Sequence, residues 1–205
     1  MKLLYQTHSP YARKVLVAAH ETGLADRIEV VHYETSPTRR NADVFARNPL
    51  GKVPVLIAAE GLVLFDSDVI CEYLDGLHAG EPLIPRSGAA RWRALRVQAI
   101  AQGVADAGIA VRWETARRPP GLRWDAMRDG QLEKIVAACD ALEREVDDRR
   151  APDIGDIAVA TTLSWIEFRE VYAFAEAHPR LAEWYARFCA RPSMRATALA
   201  GDTHD

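Results

Sequence analysis

Residues 48–74, NPLGKVPVLIAAEGLVLFDSDVICEYL, predict more of the fold than any other stretch of the chain. Two short apolar runs flank Glu60-Gly61, a pattern typical of two antiparallel strands joined by a tight turn. Proline cannot donate to a sheet ladder, so Pro54 must begin a strand, lie on an edge or carry a bend. The backbone of Val53 is therefore left to pair with something other than a neighbouring strand.

Two polar signals mark helix starts. Asp66-Ser67 precedes an apolar-periodic run, as an N-cap does. Ser9-Pro10 gives the same signal near the beginning of the chain, with serine as the cap and proline at the first helical position. Helix starts carry unpaired amides and a positive dipole end, which attract anions. An unpaired strand backbone and two such helix starts would suit a small acidic peptide.

The chain divides into a mixed part and a helical part. Apolar patterns predict strands at residues 2–6, 28–33, 55–58 and 62–65, and helices from Pro10, at 38–47 and at 67–77, in the order βαβ, α, ββα. Four helical segments follow, at residues 89–116, 124–149, 157–177 and 179–190. We therefore expect an α/β domain at residues 1–78, a linker rich in glycine and proline at 79–88, and an all-helical domain at 89–205.

Composition excludes several classes of function. A net charge of −3 gives no reason to expect nucleic acid or an anionic membrane as a partner. The three cysteines are far apart and form no CxxC pair, so we expect neither a disulfide framework nor a metal site. No run approaches the roughly 18 apolar residues of a membrane span, and the first apolar run is too short for a signal peptide. We expect a cytoplasmic protein.

Each candidate site residue has a structural and a functional interpretation. Ser9 either caps its helix alone or also donates its hydroxyl to a ligand thiolate. Asp66 and Ser67 either cap the next helix or bind the ammonium and the carboxylate of an α-amino acid head group. No Asp/His pair accompanies Ser9 at a spacing that would suggest a hydrolase triad.

Other polar residues leave the same choice open. Arg39, Arg40 and Lys52 could neutralise a second carboxylate or form a solvated basic face. His8 could be a base or an exposed histidine beside a turn. Asp153-Ile-Gly-Asp156 fits a capping box and is expected to be structural.

Together these motifs resemble the cytosolic glutathione S-transferase superfamily over nearly the full length of the chain, in the serine-type form of small bacterial members. Ser9-Pro10-Tyr11 looks like the family's active-site helix start. Residues 48–56, NPLGKVPVL, are similar to its NPxGxVPxL segment, in which the proline is cis. Residues 64–74 look like its (E/Q)SxxIxxYL helix, with Asp66 in place of the usual Glu or Gln.

The resemblance implies a thioredoxin-like N-terminal domain and a site for glutathione as co-substrate, with no metal. Ser9 would be catalytic. The Val53 backbone would pair with the cysteinyl part of glutathione, and Asp66 and Ser67 would hold the γ-glutamyl group. Arg39 would lie near the glycine end, and Lys52 is a further candidate for binding glutathione.

The implied activity is transfer of the glutathione thiolate to a small hydrophobic electrophile by a homodimer. Residues 103–117, including Arg112 and Trp113, are candidates for the second-substrate site. Two alternatives remain: a glutathione-dependent reductase or isomerase, and a non-catalytic binding protein of the same fold. Reduction through a mixed disulfide normally needs a cysteine where Ser9 stands.

Overall fold

The computed structural model describes residues 1–147 and 151–201. Its first part contains a four-stranded sheet in the order β2-β1-β3-β4. The strands are β1 (Lys2–Tyr5), β2 (Glu29–His32), β3 (Val55–Ile57) and β4 (Val63–Phe65). β1 pairs in parallel with β2 and antiparallel with β3, which pairs antiparallel with β4. The predicted hairpin of residues 55–65 is therefore confirmed.

Helices cover both faces of this sheet. They are α1 (Pro10–Glu21), α2 (Ala42–Phe45) and α3 (Ser67–Asp75). Successive strand side chains point to opposite faces, and β1 buries both of its central residues. Leu3 belongs to the main core with residues of α1 and α3, whereas Leu4 packs in a smaller cluster with Val44, Val53 and Val55. This smaller cluster fixes the position of Val53 just before the start of β3.

The second part of the chain is helical, as predicted. It contains α4 (Gly88–Arg112), α5 (Asp125–Glu145), α6 (Ile154–Phe168), α7 (Phe174–Ala177), α8 (Pro179–Cys189) and α9 (Pro192–Ala196). α4 packs against both α5 and α6, and α1 packs against α6. The contact between α1 and α6 fixes the start of α1 relative to the helical part.

The predicted capping box begins α6. Asp153 accepts from the Gly155 N–H at 2.9 Å, and Asp156 accepts from the Asp153 N–H at 2.9 Å. Almost every residue of α6 is buried, so the box satisfies amides that water does not reach.

Several predicted helix bounds are wrong. The helix predicted at 38–47 is only the four residues of α2, because Asn41 accepts from the Asp43 and Val44 N–H groups and so begins the helix late. α4 ends at Arg112 and continues as a π-helical turn, Trp113–Arg117. The segment predicted at 157–177 is split between α6 and α7, and α9 was not predicted. Residues 148–149 of the predicted 124–149 helix lie outside the described residues.

A carboxylate of α3 binds the segment between α3 and α4. Asp75 accepts from the backbone N–H groups of Leu83 and Ile84 at 2.6 and 3.0 Å. Both of these apolar side chains are buried. In the described ranges, no helix is both long and apolar enough to cross a membrane.

Candidate functional site

A cleft of about 920 Å³ lies between the sheet part and the helical part. One wall is formed by the loop from β1 to α1 and by residues of the segment 34–53. The opposite wall is formed by the end of α4, the π-helical turn, Trp165 and Arg169. Of the residues predicted for the site, the structure brings Ser9, Val53, Arg39 and Lys52 together on this lining.

Ser9 is the N-cap of α1 and is half-buried at the cleft. Its Oγ accepts a hydrogen bond from the Ala12 N–H at 3.2 Å. Within the part of the chain that the structure describes, no group accepts a bond from the Ser9 hydroxyl. A hydroxyl can accept and donate at once, so the cap leaves the Ser9 proton available to a ligand beside the positive end of α1.

The loop before β3 is braced so that it delivers Val53 to the cleft. The buried Asn48 side chain donates to the Lys52 carbonyl at 2.9 Å and accepts from the Leu50 N–H at 3.0 Å. Gly51 has φ +63°, and a Cβ there would lie 2.2 Å from the Phe45 ring. Only glycine fits this position, because the ring fills the space of a side chain and the backbone is left-handed.

The side chain of Val53 is buried, whereas its backbone makes no hydrogen bond to any described residue. The peptide bond between Val53 and Pro54 is cis, as the resemblance implied. The ladder between β1 and β3 begins with Leu4 opposite Val55. Among the described residues, neither the N–H nor the carbonyl of Val53 has a hydrogen-bond partner. Buried backbone groups are nearly always paired, so Val53 can pair with an extended peptide in the cleft.

Asp66 and Ser67 begin α3 but are not among the residues that line the cleft. Asp66 is exposed and accepts from the Asp68 N–H at 2.8 Å, so its predicted capping role is confirmed. The Ser67 side chain is only 2% exposed, and its Oγ has no hydrogen-bond partner among the described residues. An unpartnered buried hydroxyl costs stability unless a ligand satisfies it.

Arg39, Arg40 and Lys52 are exposed and line the sheet side of the cleft. Arg39 forms an ion pair with Glu34. The Arg40 guanidinium stacks over the Phe45 ring at 3.8 Å from its centroid, an attractive geometry that orients the cation. The three basic residues are therefore exposed to solvent and grouped around one opening.

Tyr11 and Asp106 join the two walls. The Tyr11 hydroxyl donates to the Asp106 carboxylate, which lies on α4. Burial, then the hydrogen bond and the charge of Asp106, and last the charge of Asp66 raise the pKa of Tyr11 above its ordinary value. Tyr11 therefore remains a protonated donor that is already committed to Asp106. Asp106 lies in the candidate range 103–117 but was not singled out from the sequence; its signal was a lone carboxylate in the apolar, small-residue run VADAGIAV.

His8 is not the exposed histidine that the sequence suggested. Its side chain is 4% exposed, with Nε2 2.7 Å from the Ala200 carbonyl and the ring 4.7 Å from that of Phe168. This packing commits the ring and makes it a poor candidate for a general base.

The helical wall combines tryptophan rings with guanidinium groups. Trp165 is buried and packs directly under Gly108, where a Cβ would lie 2.8 Å from its ring. Trp113 is half-buried in the π-helical turn. Arg169, which follows α6, is also on this wall and was missed by the sequence analysis. In residues 1–147 and 151–201, no group of three or more His, Cys, Asp or Glu side chains could hold a metal ion.

Two family models match the chain. The model described as Glutathione S-transferase, N-terminal domain matches residues 8–77, and the one described as Glutathione S-transferase, C-terminal domain matches residues 102–187. The chain is also similar to YibF of Escherichia coli K12, described as an uncharacterized GST-like protein. The two are 32% identical over 175 residues, which cover 83% of this chain and 84% of YibF.

Solved structures are similar over almost the whole chain. A glutathione transferase family member from Pseudomonas fluorescens Pf-5 with bound glutathione is 42% identical, with a TM-score of 0.93. That match covers 98% of this chain and 99% of the other. A second Pf-5 structure, with bound S-(propanoic acid)-glutathione, is 42% identical with a TM-score of 0.89, covering 98% and 100% of the two chains.

Proposed function

This chain belongs to the glutathione S-transferase family, and we propose that it conjugates the thiolate of glutathione to small electrophiles. The observation that carries the proposal is the unpaired backbone of Val53 at the cleft. An extended peptide can pair with such a backbone as an added strand does. The cysteinyl residue of glutathione would take this place, which puts its sulfur toward Ser9.

The two ends of glutathione have matching partners in this chain. Asp66 would receive the γ-glutamyl ammonium, and the Ser67 hydroxyl would bond the adjacent carboxylate at the start of α3. The unpartnered Oγ of Ser67 supports this assignment. Arg39 and Lys52, on the sheet side of the cleft, would neutralise the glycine carboxylate at the other end of the tripeptide.

Ser9 would be the catalytic residue, because it can stabilise the thiolate without a metal or a general base. A hundredfold larger thiolate fraction requires about 2.7 kcal/mol of differential stabilisation. A hydroxyl hydrogen bond to a charged acceptor supplies about 1.5–3 kcal/mol, and a helix N-terminus adds about 0.3–1 kcal/mol. The N-cap position of Ser9 on α1 offers both contributions.

The reaction would then need only the two substrates. The thiolate sulfur forms a bond to the electrophilic carbon. The displaced electron pair leaves with a departing anion, or moves along a double bond to a carbon that takes up a proton. The S-(propanoic acid)-glutathione held by the Pf-5 relative is a thioether of this product class and supports the proposal.

Two alternatives predicted from the sequence are less well supported. A reductase working through a mixed disulfide needs a thiol at the helix start, where this chain has Ser9. A non-catalytic glutathione-binding protein would bind the tripeptide but show no turnover. The cytoplasmic location and the homodimer also stay predictions.

The test combines binding with turnover. Calorimetric titration with reduced glutathione should give one site per chain, and a panel of alkyl halides, nitroaryl halides and unsaturated carbonyl compounds should include substrates. Absence of heat and of competition at millimolar glutathione would overturn the proposal. Binding without turnover on the whole panel would favour the non-catalytic alternative.

A further inference from the structure

His8, the residue before Ser9, has a backbone conformation that is uncommon for a residue with a side chain. Its φ is +67°, in the left-handed region, which histidine enters more readily than most residues other than glycine. The Ser9 N–H donates to the Gln6 carbonyl at 3.1 Å, so residues 6–9 form a turn of which His8 is the third residue. The direction in which the chain enters α1 at Ser9 therefore depends on the conformation of His8.

Two contacts hold the His8 side chain in place. Its Nε2 lies 2.7 Å from the carbonyl oxygen of Ala200. Because a carbonyl only accepts, Nε2 must carry the proton of this hydrogen bond. The imidazole ring also packs against the ring of Phe168, the last residue of α6, with 4.7 Å between the two centroids. The ring is buried, so these contacts leave it little freedom to adopt another rotamer.

The carbonyl that holds His8 belongs to a segment, residues 194–200, that is itself anchored. Arg13 of α1 is buried and donates from Nη2 to the Met194 carbonyl at 3.1 Å. Leu199, the residue before Ala200, is half-buried and packs against the main core. The helix that begins at the turn therefore also binds the segment whose carbonyl fixes the turn.

These contacts converge on the residue next to the proposed catalytic serine. We propose that His8 is a positioning residue: the Ala200 carbonyl and the Phe168 ring hold it so that the turn places the Ser9 hydroxyl beside the thiolate of glutathione. The inference rests on the proposed function, because it concerns the geometry of Ser9 toward that sulfur. A misplacement of about 1 Å at a reacting centre can cost about a hundredfold in rate. His8 thus acts through Ser9 and not as a base.

The first test is His8→Asn in the full chain. Asparagine also tolerates a left-handed φ, but its side chain is too short to reach the Ala200 carbonyl. Turnover should fall about tenfold, within the ten- to hundredfold range of one hydrogen bond to the thiolate, and the KM for glutathione should change less than turnover does. The bound thiol should also ionise at a higher pH than in the unsubstituted protein. A lower melting temperature with unchanged turnover and thiol titration would assign His8 to the fold alone and overturn the inference.

A second substitution shows whether the effect of His8 passes through the serine hydroxyl. In a Ser9→Gly background, His8→Asn should lower turnover no further, because no hydroxyl is left to be placed. Equal fold-losses from His8→Asn with and without the serine would overturn the inference.

The role of segment 194–200 is tested by a matched pair of glycine substitutions. Leu199→Gly removes the apolar contact beside Ala200 and should lower turnover, and in combination with His8→Asn the loss should be less than the product of the two separate fold-losses. Ala198→Gly is the control, because Ala198 is an exposed neighbour in the same segment, and it should keep full turnover. Fully independent losses would show that the segment does not act through His8 and would overturn the inference.

The outcomes separate this inference from the proposed function. If the unsubstituted protein neither binds glutathione nor turns over any electrophile, the proposed function falls and the inference falls with it. Normal turnover in His8→Asn overturns the inference alone. If His8→Asn fails to fold, Leu199→Gly compared with Ala198→Gly, each with Ser9 and with glycine at that position, still decides.

Discussion

The Tyr11 hydroxyl donates to the Asp106 carboxylate, so that one hydrogen bond joins the start of α1 to α4 at the lining of the cleft. The two residues are 95 positions apart in the chain. Because this bond occupies the phenol, Ser9 is left as the hydroxyl at the start of α1 that can turn to a ligand sulfur. Tyr11 therefore has a structural role at the cleft, whereas Ser9 would act on the ligand.

Tyr11→Phe should lower stability by about 0.5–1.5 kcal/mol at neutral pH, the usual net contribution of a hydrogen bond. The pKa of Tyr11 is raised first by burial and then by Asp106. This shift determines how the stability difference between the two proteins changes with pH. A group whose pKa is raised on folding contributes stability below its unfolded pKa, about 10 for tyrosine, and loses it above that pH. Denaturant titrations should therefore show the difference between the two proteins shrinking above about pH 10. A constant difference would contradict this account.

Ser9→Gly should cut turnover about ten- to a hundredfold while glutathione still binds, since one bond of about 1.5–3 kcal/mol to the thiolate is lost. Glycine is preferred to alanine here because it is also a tolerated N-cap and costs only a few tenths of a kcal/mol. Ser9→Thr keeps a hydroxyl and is the control that should retain most activity. Steady-state kinetics and calorimetry check both. Equal turnover in the glycine and threonine variants would mean that Ser9 is only a helix cap.

Ser9→Cys tests whether a thiol at this position allows reduction through a mixed disulfide, which the natural serine does not support. A thiol at a helix start is readily ionised and nucleophilic. The variant should lose transfer activity and gain thiol–disulfide exchange with glutathione, measured on a mixed-disulfide substrate. If exchange does not appear while the variant remains folded, the sulfur of glutathione does not reach position 9.

Ser67→Ala should weaken glutathione binding about tenfold or more without lowering the melting temperature. The Oγ of Ser67 is buried and has no partner among the described residues, so its removal costs the protein alone little. Calorimetry and thermal melts give the two readouts. A lower melting temperature with unchanged affinity would assign Ser67 to the fold and not to the ligand.

Asp66→Asn separates capping from charge at the neighbouring position. Asparagine caps about as well as aspartate and tolerates the observed φ of +69°. We expect an unchanged melting temperature and weaker binding, because the amide cannot neutralise the γ-glutamyl ammonium. If affinity is also unchanged, the ammonium is bound elsewhere.

Helix starts were predictable because their signals are local. Ser9, Asp66 and Asp153 cap the helices that follow them within a few residues, and each role can be read from the adjacent sequence. The contact between Tyr11 and Asp106 could not be predicted, since it depends on the packing of α1 against the helical part. The bounds of α2 failed for another reason: its local polar pattern did not reveal that Asn41 would start the helix late.

Burial on α3 shows a further limit of prediction from sequence. Val69 and Cys71 flank the buried Ile70, yet Val69 is 49% exposed whereas Cys71 is buried. The helical period admits either neighbour of Ile70 to the apolar stripe. Contact with the sheet and α1 decides between them, and that contact is not encoded within the helix.

The homodimer is a prediction, and Val69 on α3 and Trp92 on α4, at 49% and 69% exposure, are its candidate interface residues. Light scattering at micromolar concentration should give twice the 22.8 kDa chain mass. Trp92→Glu should shift the protein toward monomer, because burying an unpaired charge opposes association. Trp124→Glu, at a similarly exposed tryptophan in another segment, is the matched control. A monomer in the unsubstituted protein would contradict the prediction.

The central claim is that this cleft binds glutathione and ionises its thiol at Ser9. Ultraviolet absorbance of the bound thiolate, followed against pH in the unsubstituted protein and in Ser9→Gly, tests it most directly. The account predicts that the thiol of bound glutathione ionises at a much lower pH than the thiol of free glutathione. In the variant, most of this difference in pH should be lost. A bound thiol that titrates as it does in free solution, or two superimposable titration curves, would contradict the claim.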